Sequence, residues 1–322
     1  MNLRTASRIH IRNYPNTWKQ VEPFDWRALA ACLVGVVLLY PLVSRLPVVG
    51  WDWYYWFKPG IIDFYPPWTP YILALFTALP WRSGLALLNA LTLMTVAVAA
   101  GREAWKNGRW STIGAALFAL MTPQVMMALW LGNVEGLVLL GLVALPPGVI
   151  LMLIKPHLGI WPLLARRNWL LWAAGWGLIS LVLWGWWPLR VLGEMGRLSQ
   201  NYFTIGWYDL GWPVLAVGIL LILLSNADPL RLMAAGFFLT PYLMPNHMLL
   251  LLPALGRLGG WKRLLLWVII WVSGIASGLE RGPWRYLALI FPLSVWLLLG
   301  EKADLPVEAG IESVSPSGVF EG

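Results

Sequence analysis

The stretch ALAACLVGVVLLYPLV, residues 28–43, decides the fold class, because it contains no charged side chain and is almost long enough to cross a bilayer. Similar uncharged runs lie at 169–187 and 264–279, and a membrane-spanning helix needs about 20 such residues. Of the 322 residues, 59% are hydrophobic and 12% are charged, whereas a soluble domain has about 25% charged residues. The sequence therefore predicts an all-α, polytopic integral membrane protein.

The tryptophans and the net charge of +8 agree with this prediction. Many of the 24 tryptophans lie near the ends of apolar runs, where indole rings suit the headgroup region of a bilayer. The basic residues are scattered over short loops, which is not the compact basic surface that nucleic acid requires. We interpret these charges as signals of topology and expect no nucleic-acid partner.

The chain divides into three predicted parts. Residues 1–27 are basic, so the positive-inside rule predicts a cytoplasmic N-terminus. Residues 28–299 form the transmembrane domain, and the acidic tail 300–322 is predicted to be disordered. The protein is therefore expected in the cell membrane, with the segment that follows the first span, 51–67, facing outside.

Several apolar runs are short, and they predict interrupted helices. These runs cover 68–81, 134–145 and the pair 230–243 and 247–255. Irregular backbone at membrane depth is tolerated only beside protein or a water-filled cavity, so an internal cavity is one interpretation. Proline-kinked helices around a filled core are the other. We expect about nine to eleven spans, and a long outer loop at 188–211.

One basic loop conflicts with this span count. Arg102, Lys106 and Arg109 should lie in the cytoplasm by the positive-inside rule. Counting 68–81 and 84–101 as two crossings would place them outside. The first run, 68–81, is therefore either a short or tilted helix or a segment that does not cross.

Asp52 is the first candidate for a catalytic residue. It lies in the sequence GWDWYYW, directly after the first apolar run. A carboxylate beside aromatic rings that limit access of water has a raised pKa, which suits a general base. The alternative is a carboxylate solvated in a loop.

Five motifs in a fixed order resemble a known family. They are WDWYYW at 51–56, FYPPW at 64–68, LGN at 131–133, KPHLGIWPLLARRNW at 155–169 and TPYLMPNHMLLLLPAL at 240–255. This order is similar to that of the bacterial polyprenol-phosphate-dependent glycosyltransferases of the GT-C superfamily, in particular the GT87 (DUF2029) mannosyltransferase group. The resemblance covers about residues 28 to 255.

The resemblance implies a GT-C-like bundle of many spans, a catalytic acid in the first outer loop and a lipid-linked sugar donor. Asp52 matches the position of that acid. Tyr65, Asn133, Asn246 and His247 match motif positions that contact substrate. The sequence departs from the family where Asn133 replaces a glutamine and where Asn246 replaces the first of two histidines.

Four other charged residues are site candidates with open alternatives. Asp63 is the second choice of base, although an Asp before two prolines commonly bonds local backbone in a turn. Lys155 interrupts an apolar region together with His157, so it either binds the donor phosphate or has a structural role, in which it snorkels to an interface or pairs with Glu135. Arg190 and Arg197 are predicted to hold sugar or phosphate in the outer loop, or to be solvated there.

The sequence thus predicts a hexosyltransferase that moves a hexose, most simply mannose, from a polyprenyl phosphate to a hydroxyl of a lipid or glycan at the outer face. Asp52 would accept the proton, and no cofactor or protein-bound metal is predicted, with metal dependence left open. The sequence contains no HExxH, CxxC, Walker or GxSxG motif. The alternative function is a transporter or flippase for a lipid or a small solute, because broken helices also mark transport sites.

Overall fold

A computed structural model of the chain describes residues 24–55, 65–198, 205–278 and 282–300. The described residues form helices and no strand. The helices are α1 (Trp26–Val43), α2 (Trp51–Tyr55), α3 (Thr69–Thr77), α4 (Trp81–Ala104), α5 (Arg109–Leu120), α6 (Pro123–Leu131), α7 (Glu135–Val143), α8 (Val149–Met152), α9 (Pro156–Leu163), α10 (Arg167–Trp184), α11 (Trp187–Leu198), α12 (Trp207–Leu210), α13 (Trp212–Leu223), α14 (Pro229–Leu239), α15 (Ala254–Arg257), α16 (Gly260–Gly278) and α17 (Ile290–Gly300). Short 3₁₀ segments cover Trp105–Asn107, Pro245–Leu251 and Pro283–Leu289. The predicted cytoplasmic segment up to residue 23 and the predicted tail from residue 301 lie outside the described residues.

Among the described residues, four helical segments are long and apolar enough to cross a membrane. They are Trp26–Val43, Trp81–Asn107, Gly260–Gly278 and Pro283–Gly300. Two further pairs qualify only when each is counted as one bent span: α5 with α6, bent by 55°, and α10 with the start of α11, bent by 96°. Four to six segments therefore meet the length test, fewer than the nine to eleven expected.

The difference arises because several apolar runs form short helices. α7 has nine residues and α14 has eleven, so they reach about 14 and 17 Å at 1.5 Å per residue. A bilayer core is about 30 Å thick. The expectation of short and interrupted helices is confirmed. The span count was too high because hydropathy does not distinguish a short apolar helix from one that crosses the membrane.

The outer surface of the bundle is apolar. Val182 is 86% exposed, and Val37, Leu38, Leu75 and Leu223 are also largely exposed. Such a surface is unfavourable in water and suits contact with lipid chains. Together with the long apolar helices it is consistent with a multi-pass membrane protein.

One end of the bundle is held by ion pairs, and we call it the basic end. Arg102, near the end of α4, pairs with Asp25 at the start of α1 at 3.3 Å. Arg257 pairs with Glu103 at 2.6 Å and also with Asp228. These contacts join the ends of α1, α4, α14 and α15.

The other end carries α2 and the start of α4, and we call it the Trp53 end. The indole nitrogen of Trp53 donates to the carbonyl of Trp81 at 3.1 Å. The amide nitrogen of Gly50 donates to the carbonyl of Trp130 at 2.8 Å. α1 and α4 therefore run in opposite directions between the two ends.

The run 68–81 does not cross the bundle. α3 has nine residues, and Gly84 in the first turn of α4 packs closely on the carbonyl of Phe76 near the end of α3. The chain thus turns back at the Trp53 end before α4 begins. α4 alone carries the chain from there to Arg102 at the basic end, which removes the conflict over the loop that follows.

A helical hairpin fills the centre of the bundle. α7 runs from Glu135 toward the basic end, where the carbonyl of Val143 accepts a bond from Arg102 at 3.1 Å. α8 returns, so that Lys155 meets Glu135 again. Gly141 and Gly148 lie where the two arms touch, and a Cβ at either position would overlap the backbone of the other arm.

The prediction of a long loop at 188–211 is wrong for the first half of that range. Residues Trp187–Leu198 form α11, which lies almost perpendicular to α10. Its apolar residues at 187, 191, 195 and 198 recur at helical spacing, and Val191 packs against Tyr242. Leu189 and Leu192 are exposed on the same helix. An amphipathic helix at this angle suits a membrane surface.

Candidate active site

Asp52 is placed by a short helix whose backbone is pinned on both sides. Before Asp52, the backbone amide of Gly50 donates a hydrogen bond to the carbonyl of Trp130 in α6. After Asp52, the side chain of Trp53 is fully buried. Asp52 is thereby directed to the start of the segment that follows α6. Gly132 ends α6 with a positive φ of 69° and lies too close to Trp53 for a Cβ, so a glycine is needed there for Asn133 to reach Asp52.

Asn133 connects Asp52 to the interior. Its Nδ2 donates to Oδ2 of Asp52 at 2.5 Å. Its Oδ1 accepts from the backbone nitrogen of Val134 at 2.7 Å and from Nζ of Lys155 at 3.1 Å. Both ends of one amide side chain are therefore used, and its orientation is fixed by three partners.

Lys155 forms a buried ion pair with Glu135. Nζ lies 2.5 Å from Oε1 of Glu135, and the side chains are 3% and 0% exposed. Glu135 is the first residue of α7, and Lys155 immediately precedes α9. The hairpin brings these two helix starts together. The interpretation of Lys155 as a partner of Glu135 is confirmed.

Asn246 and His247 complete the contacts from the 3₁₀ segment at 245–251. Nδ2 of Asn246 donates to Oε1 of Glu135 at 2.8 Å. Nδ1 of His247 accepts from the backbone nitrogen of Met244 at 3.2 Å. Its Nε2 then faces Nζ of Lys155 at 3.3 Å and Oε1 of Glu135 at 3.5 Å.

These residues form one structure, which we call the polar cluster. Its members are Asp52, Asn133, Glu135, Lys155, Asn246 and His247. Four of them have ionisable side chains, and Glu135 is the hub because one of its oxygens meets Lys155, Asn246 and His247. Such a buried network is stable only when its charges are paired.

Aromatic rings and one further histidine wall the polar cluster. The ring of Tyr65 is 5.9 Å from Nζ of Lys155. Tyr242 lies 5.0 Å from His157 and 5.5 Å from His247, measured between ring centroids. Aromatic side chains beside buried polar groups are common in sites that hold a small ligand.

Some hydrogen-bonding capacity beside the cluster is unused. Both ring nitrogens of His157 are buried without a hydrogen-bond partner among the described residues, as is Oε2 of Glu135. Buried polar atoms are normally satisfied by protein or ordered water. A neutral imidazole and a carboxylate oxygen offer one donor and two acceptors to a hydroxylated ligand.

The environment of Asp52 changes its acidity. Removal from water raises its pKa to about 6; Lys155 lowers it in part, and Glu135 raises it. A carboxyl group with this pKa is mostly ionised at neutral pH and can accept a proton there. Lys155, in contrast, has its charge balanced by Glu135.

The structure therefore brings together six of the predicted site residues: Asp52, Tyr65, Asn133, Lys155, Asn246 and His247. Arg190 instead lines a separate cavity of about 320 Å³ with Pro67 and three tryptophans, Trp184, Trp186 and Trp187. Asp63 and the side chain of Arg197 lie outside the described residues.

Sequence reasoning missed the central place of Glu135 and did not single out Tyr242. The available signal for Glu135 was a carboxylate within an apolar run, which by default marks a functional or paired group. Tyr242 had no such signal, because an aromatic residue in an apolar segment usually packs in a core. Among the described residues, no group of three or more His, Cys, Asp and Glu side chains could hold a metal ion.

Comparisons with known proteins add no family to this picture. No protein-family model matches the chain, and neither a curated protein nor a solved structure matches it. The geometry of the polar cluster is therefore the basis for assigning a function.

Proposed function

We propose that the chain is a membrane glycosyltransferase that moves a hexose from a polyprenyl phosphate to a hydroxyl of a lipid or glycan at the outer membrane face. One observation carries the proposal. Residues from four separate motifs, spread from position 52 to position 247, meet in the polar cluster with Asp52 at its edge, and Tyr65 from the fifth motif lies beside it. Such convergence is expected of a catalytic site and not of five independent packing motifs.

The proposed reaction is a single displacement. Asp52 takes the proton of the acceptor hydroxyl while the oxygen of that hydroxyl attacks the anomeric carbon. The bond from that carbon to the phosphate oxygen breaks, and the polyprenyl phosphate leaves with the electron pair. Asn133 acts as a positioning residue, because its amide holds the carboxylate of Asp52 in place.

The ion pair changes the role proposed for Lys155. Its charge is already balanced at 2.5 Å by Glu135, which favours a role in holding the cluster together over a role as the phosphate cation. Arg190 is the better candidate for the phosphate, because it is exposed on the amphipathic helix α11 and lines a cavity with three tryptophans. A lipid phosphate at the membrane surface suits such a mixed site.

A transporter or flippase is the second candidate function. The observation that favours it is the ion pair between Glu135 and Lys155 inside an apolar bundle, because ionisable groups at such depth also mark transport pathways. A fixed carboxylate with a pKa near 6 at the edge of the cluster is needed by the transferase and not by the transporter.

Two assays on the same purified protein separate these functions. Protein in lipid nanodiscs is incubated with radiolabelled polyprenyl-phosphate mannose and a lipid extract as the source of acceptors, and transfer of label out of the donor is measured. Protein in sealed vesicles is tested for movement of the labelled lipid between leaflets. Transfer of label supports the transferase, and movement without transfer supports the flippase.

A further inference from the structure

A second polar cavity lies at the basic end, far from Asp52. Its volume is about 700 Å³, within the range of small-molecule sites. Its wall includes Leu142 and Leu145, at the end of α7 that lies opposite Glu135. From Glu135 to Leu142 the axis of α7 rises about 10 Å, so the cavity and the polar cluster are separate sites.

Positive charge predominates on the wall of this cavity. Four cationic side chains line it, Arg102, Lys106, Arg166 and Arg257, against two carboxylates, Glu103 and Asp228. Both carboxylates are bound by the same guanidinium, that of Arg257.

Arg102 is already paired with Asp25 at 3.3 Å, which leaves Lys106 as the lining cation placed to receive an anion. Lys106 is exposed and has no ion-pair partner among the described residues. The guanidinium of Arg166 donates to the carbonyls of Ala165 and Ala227 at 3.0 and 3.3 Å. Lys106 is therefore the cation of the cavity wall that we expect to contact an anion.

A buried indole supplies an independent observation. Trp169 lines the cavity and is 4% exposed. Its Nε1 is buried without a hydrogen-bond partner among the described residues. An indole nitrogen is a donor only, so the group that would satisfy it must be an acceptor, such as a phosphate oxygen.

The chain itself is bent to form this wall. Asn226 and Ala227 have φ values of 50° and 54°, a left-handed conformation that non-glycine residues seldom adopt. The strained turn presents the carbonyl of Ala227 to Arg166 and places Asp228 beside Arg257. Strain of this kind clusters at ligand sites.

We propose that the cavity at the basic end binds a phosphate group. Lys106 contacts its oxygens through a charge-assisted hydrogen bond, and Trp169 donates a further bond. The phosphate belongs either to an anionic lipid headgroup, which the neighbouring leucines would accommodate, or to a free anion. This proposal does not depend on glycosyl transfer at Asp52.

The test is a titration of the full chain in a neutral detergent, followed by calorimetry. The probes are dihexanoyl phosphatidylglycerol, dihexanoyl phosphatidylcholine and inorganic phosphate. Lys106→Gln removes a cation from the cavity, and Arg109→Gln is the matched control, because Arg109 is an exposed cation that lies two residues beyond the same 3₁₀ segment and does not line the cavity. Trp169→Phe removes the N–H donor and keeps most of the ring.

We expect saturable binding of one phosphatidylglycerol per chain, weakened roughly tenfold or more by Lys106→Gln, since a hydrogen bond to a charged group contributes about 1.5–3 kcal/mol. Arg109→Gln should bind as the wild type does, and phosphatidylcholine should not saturate. Inorganic phosphate binding as tightly as the lipid identifies a free anion, and weaker binding identifies the lipid; both results support the site.

Three results would overturn the proposal. The first is the absence of saturable binding of either anion. The second is equal weakening by Lys106→Gln and Arg109→Gln, which would indicate general surface attraction. The third is unchanged binding in both Lys106→Gln and Trp169→Phe.

Discussion

Nδ2 of Asn133 donates a hydrogen bond of 2.5 Å to Oδ2 of Asp52 across 81 residues of sequence. The same amide accepts from Lys155, which pairs with Glu135. Asp52 is therefore the outermost member of a continuous chain of polar contacts that ends in a buried carboxylate. A change in the interior can alter the orientation of Asp52 through Asn133, and it can alter the acidity of Asp52 through the charges of Lys155 and Glu135.

The pH dependence of transfer should follow the ionisation of Asp52. Its pKa is raised to about 6, and the ionised form is the base. We expect kcat/KM to rise about tenfold per pH unit below pH 6 and to level off above it. Initial rates from pH 5 to pH 8 measure this, with donor affinity determined at each pH. A profile that is flat between pH 5 and 7 would exclude Asp52 as the base.

Asn133→Ala should move that profile to higher pH. The amide stabilises the charged carboxylate, so its loss raises the pKa of Asp52 further. The ascending limb should shift upward while the plateau rate falls less. Asn89→Ala is the matched control, because Asn89 is a buried amide that donates to the carbonyl of Leu129 at 3.1 Å. An equal shift in both variants would show that the effect is structural.

The pair of Glu135 and Lys155 should dominate the stability of the cluster. Glu135→Gln or Lys155→Met leaves one buried charge without its partner, which costs about 3–5 kcal/mol of unfolding free energy. The double variant should lose less than the sum of the single losses. Arg285→Gln, which removes a more exposed ion pair with Asp209, should cost at most about 1 kcal/mol. Denaturation in detergent measures all four variants, and additive losses would contradict the coupling.

Topology can be tested with single cysteines. Tyr54 is exposed at the Trp53 end, and Lys106 is exposed at the basic end. In intact cells a membrane-impermeant maleimide should label Tyr54→Cys and leave Lys106→Cys unlabelled until the membrane is opened. The native Cys32 is fully buried and gives little background. Labelling with the opposite pattern would remove the proposed outer-face site.

The sequence was sufficient to predict the helical fold class and most residues of the polar cluster. Long uncharged runs leave few alternatives to helices, because backbone groups in lipid must bond within their own segment. Polar residues such as Lys155 and His247 stood out because they interrupt such runs. Their meeting point depends on the hairpin of α7 and α8, whose close approach at Gly141 and Gly148 has no simple periodic signature.

The span count and α11 were harder to predict for a different reason. Hydropathy records how apolar a segment is and not whether lipid or protein surrounds it. α7 and α14 are apolar because they are buried inside the bundle, and they were counted as crossings. In α11 the charges of Arg190 and Glu194 concealed a helical repeat of apolar residues.

The central claim is that Asp52 is the general base of a sugar transfer. The direct measurement is turnover and donor affinity of Asp52→Asn in nanodiscs with labelled polyprenyl-phosphate mannose, beside Asp63→Asn and Asp209→Asn. The amide is nearly isosteric but cannot take the proton, so turnover should fall by about 10²–10⁴-fold with donor affinity preserved. The other two variants should lose much less. Near-normal turnover in Asp52→Asn would contradict the account, and abolition by Asp63→Asn alone would move the base to Asp63.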